Sequence, residues 1–240
     1  MHDVTIIIPI YNERNAIDIV YQELVKNLKN QPFTSEILFV NDGSTDHPEE
    51  IFNRLGVRSI SHSKNRGYGA SIKTGAKNSE SPYLCIMDCD NTYKAKDIPR
   101  LMTFAREYPM VVGSRDVKLN PWLYVVSKRF ICLLLQGLFG KPVDDINSGL
   151  RIIRRDIFQY YEPMLCEGFS LTSSLTFAFL LDQRDIRYVP IEYDKRITPS
   201  KIRRWSFTFR FIKAFIDVYR FHQLKLREAR SHTPNASAAA

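Results

Sequence analysis

The chain has 240 residues, 44% of them hydrophobic, and 34 lysines and arginines against 26 aspartates and glutamates, for a net charge of +8. That balance excludes a disordered chain and leaves room for one sizeable α/β domain. The basic excess calls for an anionic partner: phosphates, nucleic acid or an acidic membrane surface. Cys85, Cys89, Cys132 and Cys166 show neither Cys-x-x-Cys nor zinc-ligand spacing, so reduced thiols are expected and a disulfide framework is not. The N-terminus enters a strand at once, which argues against a signal peptide. No apolar stretch reaches the roughly 18 residues of a spanning helix.

Val4–Ile10 is a β-branched run and the first predicted strand, with Pro9 marking its end. A polar loop, Tyr11 to Asn15, follows, and Asn15 is placed to cap a helix carrying Ile17, Val20, Tyr21, Leu24, Val25 and Leu28 at helical spacing. Glu36–Val40 is a second buried strand, ending in the turn residues Asn41 to Asp46 before a short helix. Val57–Ile60 reads as a third strand. The loop Asn65 to Ala70 opens a helix running to about Asn78. Its Gly67-x-Gly69 lacks the third glycine of a dinucleotide fingerprint and does not follow the first strand, so it reads as a tight loop.

The stretch Tyr83–Met87 is apolar without a break, then Asp88 and Asp90 appear one residue apart. Such a strand is buried on both faces and cannot keep ionised groups inside. The two carboxylates are therefore expected at the carboxyl edge of the sheet, where open α/β folds bind ligands. Held close together, two carboxylates suit a hard cation, Mg²⁺ or Mn²⁺. A solvated turn or helix cap is the alternative. A helix from Asp97 to Glu107 comes next. The alternation of strands and helices implies parallel βαβ units, with Glu13, Asp42, Asp88 and Asp90 sharing one rim.

Beyond Pro109, Met110–Val112 is a strand ending in Gly113-Ser114-Arg115. Arg115 is expected at the same rim, where its fork of donors suits a phosphate, the alternative being a surface ion pair. Trp122–Phe139 is an apolar, aromatic segment broken by Lys128 and Arg129, read as a helix lying in a membrane interface or else buried. Asp144 to Gly149 is a polar turn, Ser170–Leu181 a helix, and Arg187–Ile191 the last strand. Lys195 to Lys201 is a basic loop suited to anions. In Ser206–Leu226, Phe207, Phe211, Phe215 and Val218 share one helical face, with Arg210, Lys213, Asp217 and Arg220 opposite. That pattern fits an interfacial helix or one packed on the domain.

These residues give the chain a resemblance to family 2 glycosyltransferases of the GT-A fold, within the dolichyl-phosphate mannosyltransferase and polyprenyl-phosphate glycosyltransferase branch. It rests on Ile8-Pro9-Ile10-Tyr11-Asn12-Glu13, Val40-Asn41-Asp42-Gly43-Ser44-Thr45-Asp46, Asp88-Cys89-Asp90-Asn91-Thr92-Tyr93, Gly113-Ser114-Arg115, and Ser200-Lys201 with Arg196 before them. The resemblance implies an α/β fold with a Rossmann-like, mostly parallel sheet over residues 1–201; the residue pattern then places a basic amphipathic helix over 202–230, a candidate for a membrane interface, and the small, polar composition of 231–240 a disordered tail. It implies that Pro9, Tyr11, Glu13, Val40 and Asp42 hold the base and ribose of a nucleotide-sugar. It further implies that Asp88 and Asp90 meet the metal (Mg²⁺ or Mn²⁺) and the diphosphate, with Cys89 between them, and that Arg115, Arg196 and Lys201 take phosphate charge from donor or acceptor. Asn41 stands where the family usually has Asp, and Thr92 where some members supply a Gln to the metal.

The implied activity is inverting transfer of a hexose to a polyprenyl phosphate at the cytosolic membrane face. A glycan or protein hydroxyl is the alternative acceptor, and it would need a base to remove its proton; Asp145 is the candidate for that task or for orienting the acceptor, the alternative role being a cap before the following segment. A nucleic-acid-binding module is disfavoured, because the rim that gathers the cations also gathers carboxylates that repel a nucleic-acid backbone.

Overall fold

The computed structural model describes residues 1–115, 122–194 and 204–231. Seven strands form one sheet: β1 (Val4–Ile10), β2 (Ser35–Asn41), β3 (Arg58–Ser61), β4 (Tyr83–Ile86), β5 (Met110–Arg115), β6 (Arg151–Arg154) and β7 (Ile186–Ile191). The helices are α1 (Arg14–Leu28), α2 (Glu49–Leu55), α3 (Tyr68–Lys77), α4 (Asp97–Phe104), α5 (Trp122–Phe139), α6 (Arg155–Tyr161), α7 (Leu171–Leu181) and α8 (Arg204–Ser231), with a 3₁₀ turn at Glu162–Met164. The strand order is β3-β2-β1-β4-β6-β5-β7. All neighbours run parallel except β6, which is antiparallel to both β4 and β5.

Side-chain alternation divides the core in two. Ile7, Leu38, Leu84, Ile86, Met110 and Val112 point to the face covered by α3, α5, α6, α7 and α8. Ile6, Ile8, Phe39, Cys85 and Val111 point to the face covered by α1, α2 and α4. Both faces are thus buried, which is why the strands read as unbroken apolar runs. All four cysteines are free.

Several boundaries differ from the sequence expectation. Pro9 lies inside β1, in register with Val40. It is tolerated because β4 pairs with β1 only as far as Ile7, so Pro9 is past the stretch bonded on both edges. The first helix starts at Arg14 with Glu13 in the cap position, two residues ahead of the expected Asn15 cap. The third strand is shifted by one residue, β4 stops at Ile86, and α4 stops at Phe104.

The long helices are two-sided. On α5, Cys132 and Leu135 are buried, whereas Val126, Phe130, Leu133, Leu134 and Leu138 are exposed. On α8 it is Ala214 and Val218 that are buried, and Phe215 meets Phe177 of α7 edge-on at 4.7 Å. The Phe215 and Val218 side therefore packs on the domain, and Ile212, Ile216, Tyr219 and Leu224 are exposed. Among the described residues, no helix is long and apolar enough to cross a membrane.

Candidate active site

Since β1, β2 and β4 are parallel, their carboxyl ends share one edge, and β5 reaches the same edge through the reversed β6. The chain leaves β1 toward β2 on one side while β4 lies on the other, so the crevice beyond β1 and β4 is a topological switch point.

On one side of this rim the loops after β1 and β2 are stitched together. The Asn12 amide donates to Ser44 Oγ at 3.0 Å, and the Thr45 amide donates to Asn12 Oδ1 at 2.8 Å. Arg14 donates its amide to Asp46 Oδ2 and its guanidinium to the carbonyls of Asp46 and His47. Tyr11 is partly exposed here and Glu13 is buried. Asn41, in the place of a usual Asp, accepts from the Ser44 amide at 2.9 Å and donates to Glu49, so it shapes the turn.

Asp42 is buried and heavily engaged. Its carboxylate accepts from the amides of Arg66 (2.9 Å) and Gly67 (2.8 Å) and pairs with His62 Nδ1 at 2.8 Å. His62 Nε2 in turn lies 2.9 Å from Thr74 Oγ1. Charged acceptors make the stronger hydrogen bonds, so Asp42 fixes the loop before α3. The glycines there do more than form a tight turn. Gly67 has φ +109, and side chains at Gly67 or Gly69 would run into the backbone at Cys166 and Glu167.

At the end of β4, Tyr68 OH donates to Asp88 Oδ1 at 2.8 Å. Gly149 also lies against the Asp88 carboxylate, so that a Cβ there would collide with it. The Gly149 amide donates to Tyr93 OH at 2.6 Å, so the turn before β6 is pinned to the segment carrying the two aspartates. Asp90 is buried and its Oδ1 accepts from the amide and hydroxyl of Thr92. Cys89 between them is buried. Asn91 follows in the left-handed region (φ 59) and buries an amide oxygen that accepts no hydrogen bond. Gly149→Ala is expected to lower kcat/KM at least about tenfold, because overpacking here costs about 1–3 kcal/mol unless the Asp88 carboxylate moves. Steady-state kinetics beside a thermal melt checks this; unchanged kcat/KM would uncouple Gly149 from Asp88.

The third part of the rim is an ion cluster. Asp145 is fully buried and takes Arg115 Nε at 2.8 Å and Nη2 at 2.9 Å. Lys128 Nζ from α5 lies 2.8 Å from the same carboxylate, with Lys128 only 8% exposed. Arg115 also donates to Asn147 Oδ1 at 2.8 Å and covers the Tyr193 ring at 5.2 Å. The two cations hold the Asp145 carboxyl down at about 2, against the opposing effect of its burial. Burial of Lys128 pushes its ammonium below the ordinary lysine value. Below the turn, buried Arg151 grips the carbonyls of Ser148 (2.6 Å) and Thr172 (2.9 Å), tying β6 to α7.

A protein-family model described as glycosyl transferase family 2 matches residues 5–162, well over half of the chain. The chain belongs to this family. It is 27% identical over 204 residues to a dolichyl-phosphate hexose transferase of Haloferax volcanii, covering 83% of this chain and 86% of that protein. It is 29% identical over 165 residues to an undecaprenyl-phosphate 4-deoxy-4-formamido-L-arabinose transferase of Yersinia enterocolitica, covering 65% of this chain but half of that protein's length. Among solved structures it resembles glucosyl-3-phosphoglycerate synthase of Mycobacterium tuberculosis in complex with Mn²⁺, UDP-glucose and phosphoglyceric acid. The TM-score is 0.72 at 14% identity, over 90% of this chain and 79% of that one, a likeness that carries the GT-A fold.

In this glycosyltransferase Pro9, Tyr11, Glu13, Asp42, Asp88, Cys89, Asp90, Arg115 and Asp145 lie at or just beyond the carboxyl ends of β1, β2, β4 and β5 and in the turn before β6, whereas the side chain of Val40 is buried in the core beneath that edge. Arg196 and Lys201 lie outside the described residues. Among the described residues no group of three His, Cys, Asp or Glu side chains forms a cation site. The donor chemistry nonetheless fits a hard divalent ion: two carboxylates one residue apart, beside a buried amide oxygen that accepts no hydrogen bond. Sequence reading missed Tyr68, His62, Lys128, Asn147 and Gly149. Asn147 and Gly149 carried a weak signal, lying in the same turn as Asp145.

Proposed function

We propose that this family 2 glycosyltransferase moves a hexose from a GDP- or UDP-sugar to a polyprenyl phosphate, with inversion, from the cytosolic face of a membrane. The observation that carries the reading is one rim joining the Asp88–Asp90 pair to Arg115, in a chain matching a named dolichyl-phosphate hexose transferase over most of both lengths. Tyr11, Glu13 and Pro9 form the side of the rim suited to base and ribose, Val40 supports it from the core beneath, and Asp42 holds its wall by fixing the loop before α3. Asp88 and Asp90 would hold Mg²⁺ or Mn²⁺, which when bound neutralises charge developing on the leaving diphosphate. Arg115 adds positive charge at the same edge, and preorganised charge of this kind is a large contributor to rate. Arg196 and Lys201 are assigned to phosphate on the strength of the family resemblance.

A phosphate acceptor is already anionic near neutral pH and needs orientation more than a base. Asp145 suits that chemistry, since a carboxyl held at about 2 between two cations is a poor proton acceptor. Transfer to a hydroxyl would need another base. The exposed apolar residues Val126, Phe130, Leu133, Leu134 and Leu138 of α5 support contact with a lipid surface, as does the basic net charge. The test is incubation with radiolabelled nucleotide-sugars, Mn²⁺ and a polyprenyl phosphate in vesicles. Label passing into the organic phase is expected; none with any common GDP- or UDP-sugar overturns the reading.

A further inference from the structure

We propose that Lys128 is a positioning residue for the anion-binding rim: by offsetting the charge of Asp145 it leaves Arg115 a net positive charge toward a bound phosphate. The proposal rests on the reading of the rim as a diphosphate site.

An arginine forked onto a carboxylate is a neutral pair, and from a few ångströms away it acts as a weak dipole. Arg115 and Asp145 alone would be such a pair. Lys128 changes the sum. Its ammonium and the Arg115 Nε share Asp145 Oδ2, both at 2.8 Å, so the three groups together carry one positive charge. The cluster is dry: the side chains of Arg115, Lys128 and Asp145 are 10%, 8% and 0% exposed. In such surroundings charge is poorly screened and is felt at the rim.

The placement is costly, which argues that it is used. An ammonium taken out of water loses hydration that one shared carboxylate does not fully restore, and burial lowers its proton affinity accordingly. The neighbouring cation on α5, Arg129, is exposed, and Cys132 one turn further on is buried and apolar. An apolar side chain at 128 would pack beside Cys132 at lower cost if anchoring α5 were the whole task. Asn147 and the Tyr193 ring fix the Arg115 plane, so orientation of the guanidinium does not depend on Lys128. What Lys128 adds is charge.

The test is calorimetric binding of inorganic pyrophosphate to the full chain at fixed ionic strength, with a thermal melt of each sample. Lys128→Met is expected to weaken binding about tenfold, and Lys128→Arg to keep it. Combining Lys128→Met with Asp145→Asn restores one net positive charge and removes both buried partners together, and is expected to return affinity to within about threefold of wild type. A purely structural Lys128 would lower the melting temperature in step with affinity, with no recovery in the double variant. Wild-type affinity in Lys128→Met, or a double variant as weak as the single one, overturns the proposal while wild-type binding stands. A wild-type protein that binds no pyrophosphate overturns the diphosphate reading and this proposal with it.

Discussion

Asp90→Ala is expected to lower glycosyl transfer by about 10²–10³-fold or more, the scale on which losing a preorganised electrostatic group acts. Asp90 is buried at the carboxyl end of β4, with Oδ1 already held by the Thr92 amide and hydroxyl. Those bonds fix the carboxylate, so a cation and a diphosphate would meet a rigid acceptor. Truncation to alanine also strands the Thr92 amide, at about 1–3 kcal/mol. Asp90→Asn separates the two effects, because its amide oxygen still accepts from Thr92 while the charge is gone. Both variants are expected to lose the Mn²⁺-dependent rise in melting temperature that a nucleoside diphosphate gives the wild type. Full activity in Asp90→Asn would remove the charge from the mechanism.

Asp145→Ala has the largest expected effect on stability. It leaves Arg115 and Lys128 buried without the carboxylate they share, and breaking a buried ion pair from one side costs about 3–5 kcal/mol. The same group sets an acid limit. Its folded carboxyl titrates at about 2, below the ordinary aspartate value of about 3.9, so the unfolded chain binds its proton first as pH falls. The stabilisation, about 2 kcal/mol, is therefore complete above pH 4 and is lost as pH falls from about 4 toward 2. Urea melts from pH 6 to pH 2.5 are expected to fall more steeply through that window in wild type than in the Lys128→Met, Asp145→Asn double variant. Parallel curves would place acid sensitivity elsewhere.

The sheet was largely legible because burial on both faces writes itself as unbroken apolar runs at β1, β2 and β4. The acidic pair after β4 was legible for the same reason, since charges must emerge where such a run ends. The reversed direction of β6 was not, because four residues from Arg151 to Arg154 carry no mark of parallel or antiparallel pairing. Lys128 was hidden by the pattern itself. In an apolar helix a lysine reads as an interruption or a solvated face, and its partner Asp145 lies on a separate turn. The link from Tyr68 to Asp88 spans 20 residues and joins a helix start to a strand end, a pairing that only the fold creates. On α8 the hydrophobic pattern identified a two-sided helix without saying which apolar side would meet protein.

The reversal of β6 has an effect on how the rim can change over time. The half built from β1 to β4 and the half built from β5 onward meet in the sheet along β4 and β6, through four residue pairs. Because the chain enters β6 from the rim, a change of length between Phe139 and Asp144 need not slide the register of either half, provided Val143 stays buried and Lys141 keeps its pairing with Asp185. Descendants of such a chain can remodel what the second half grips while inheriting the first half unaltered.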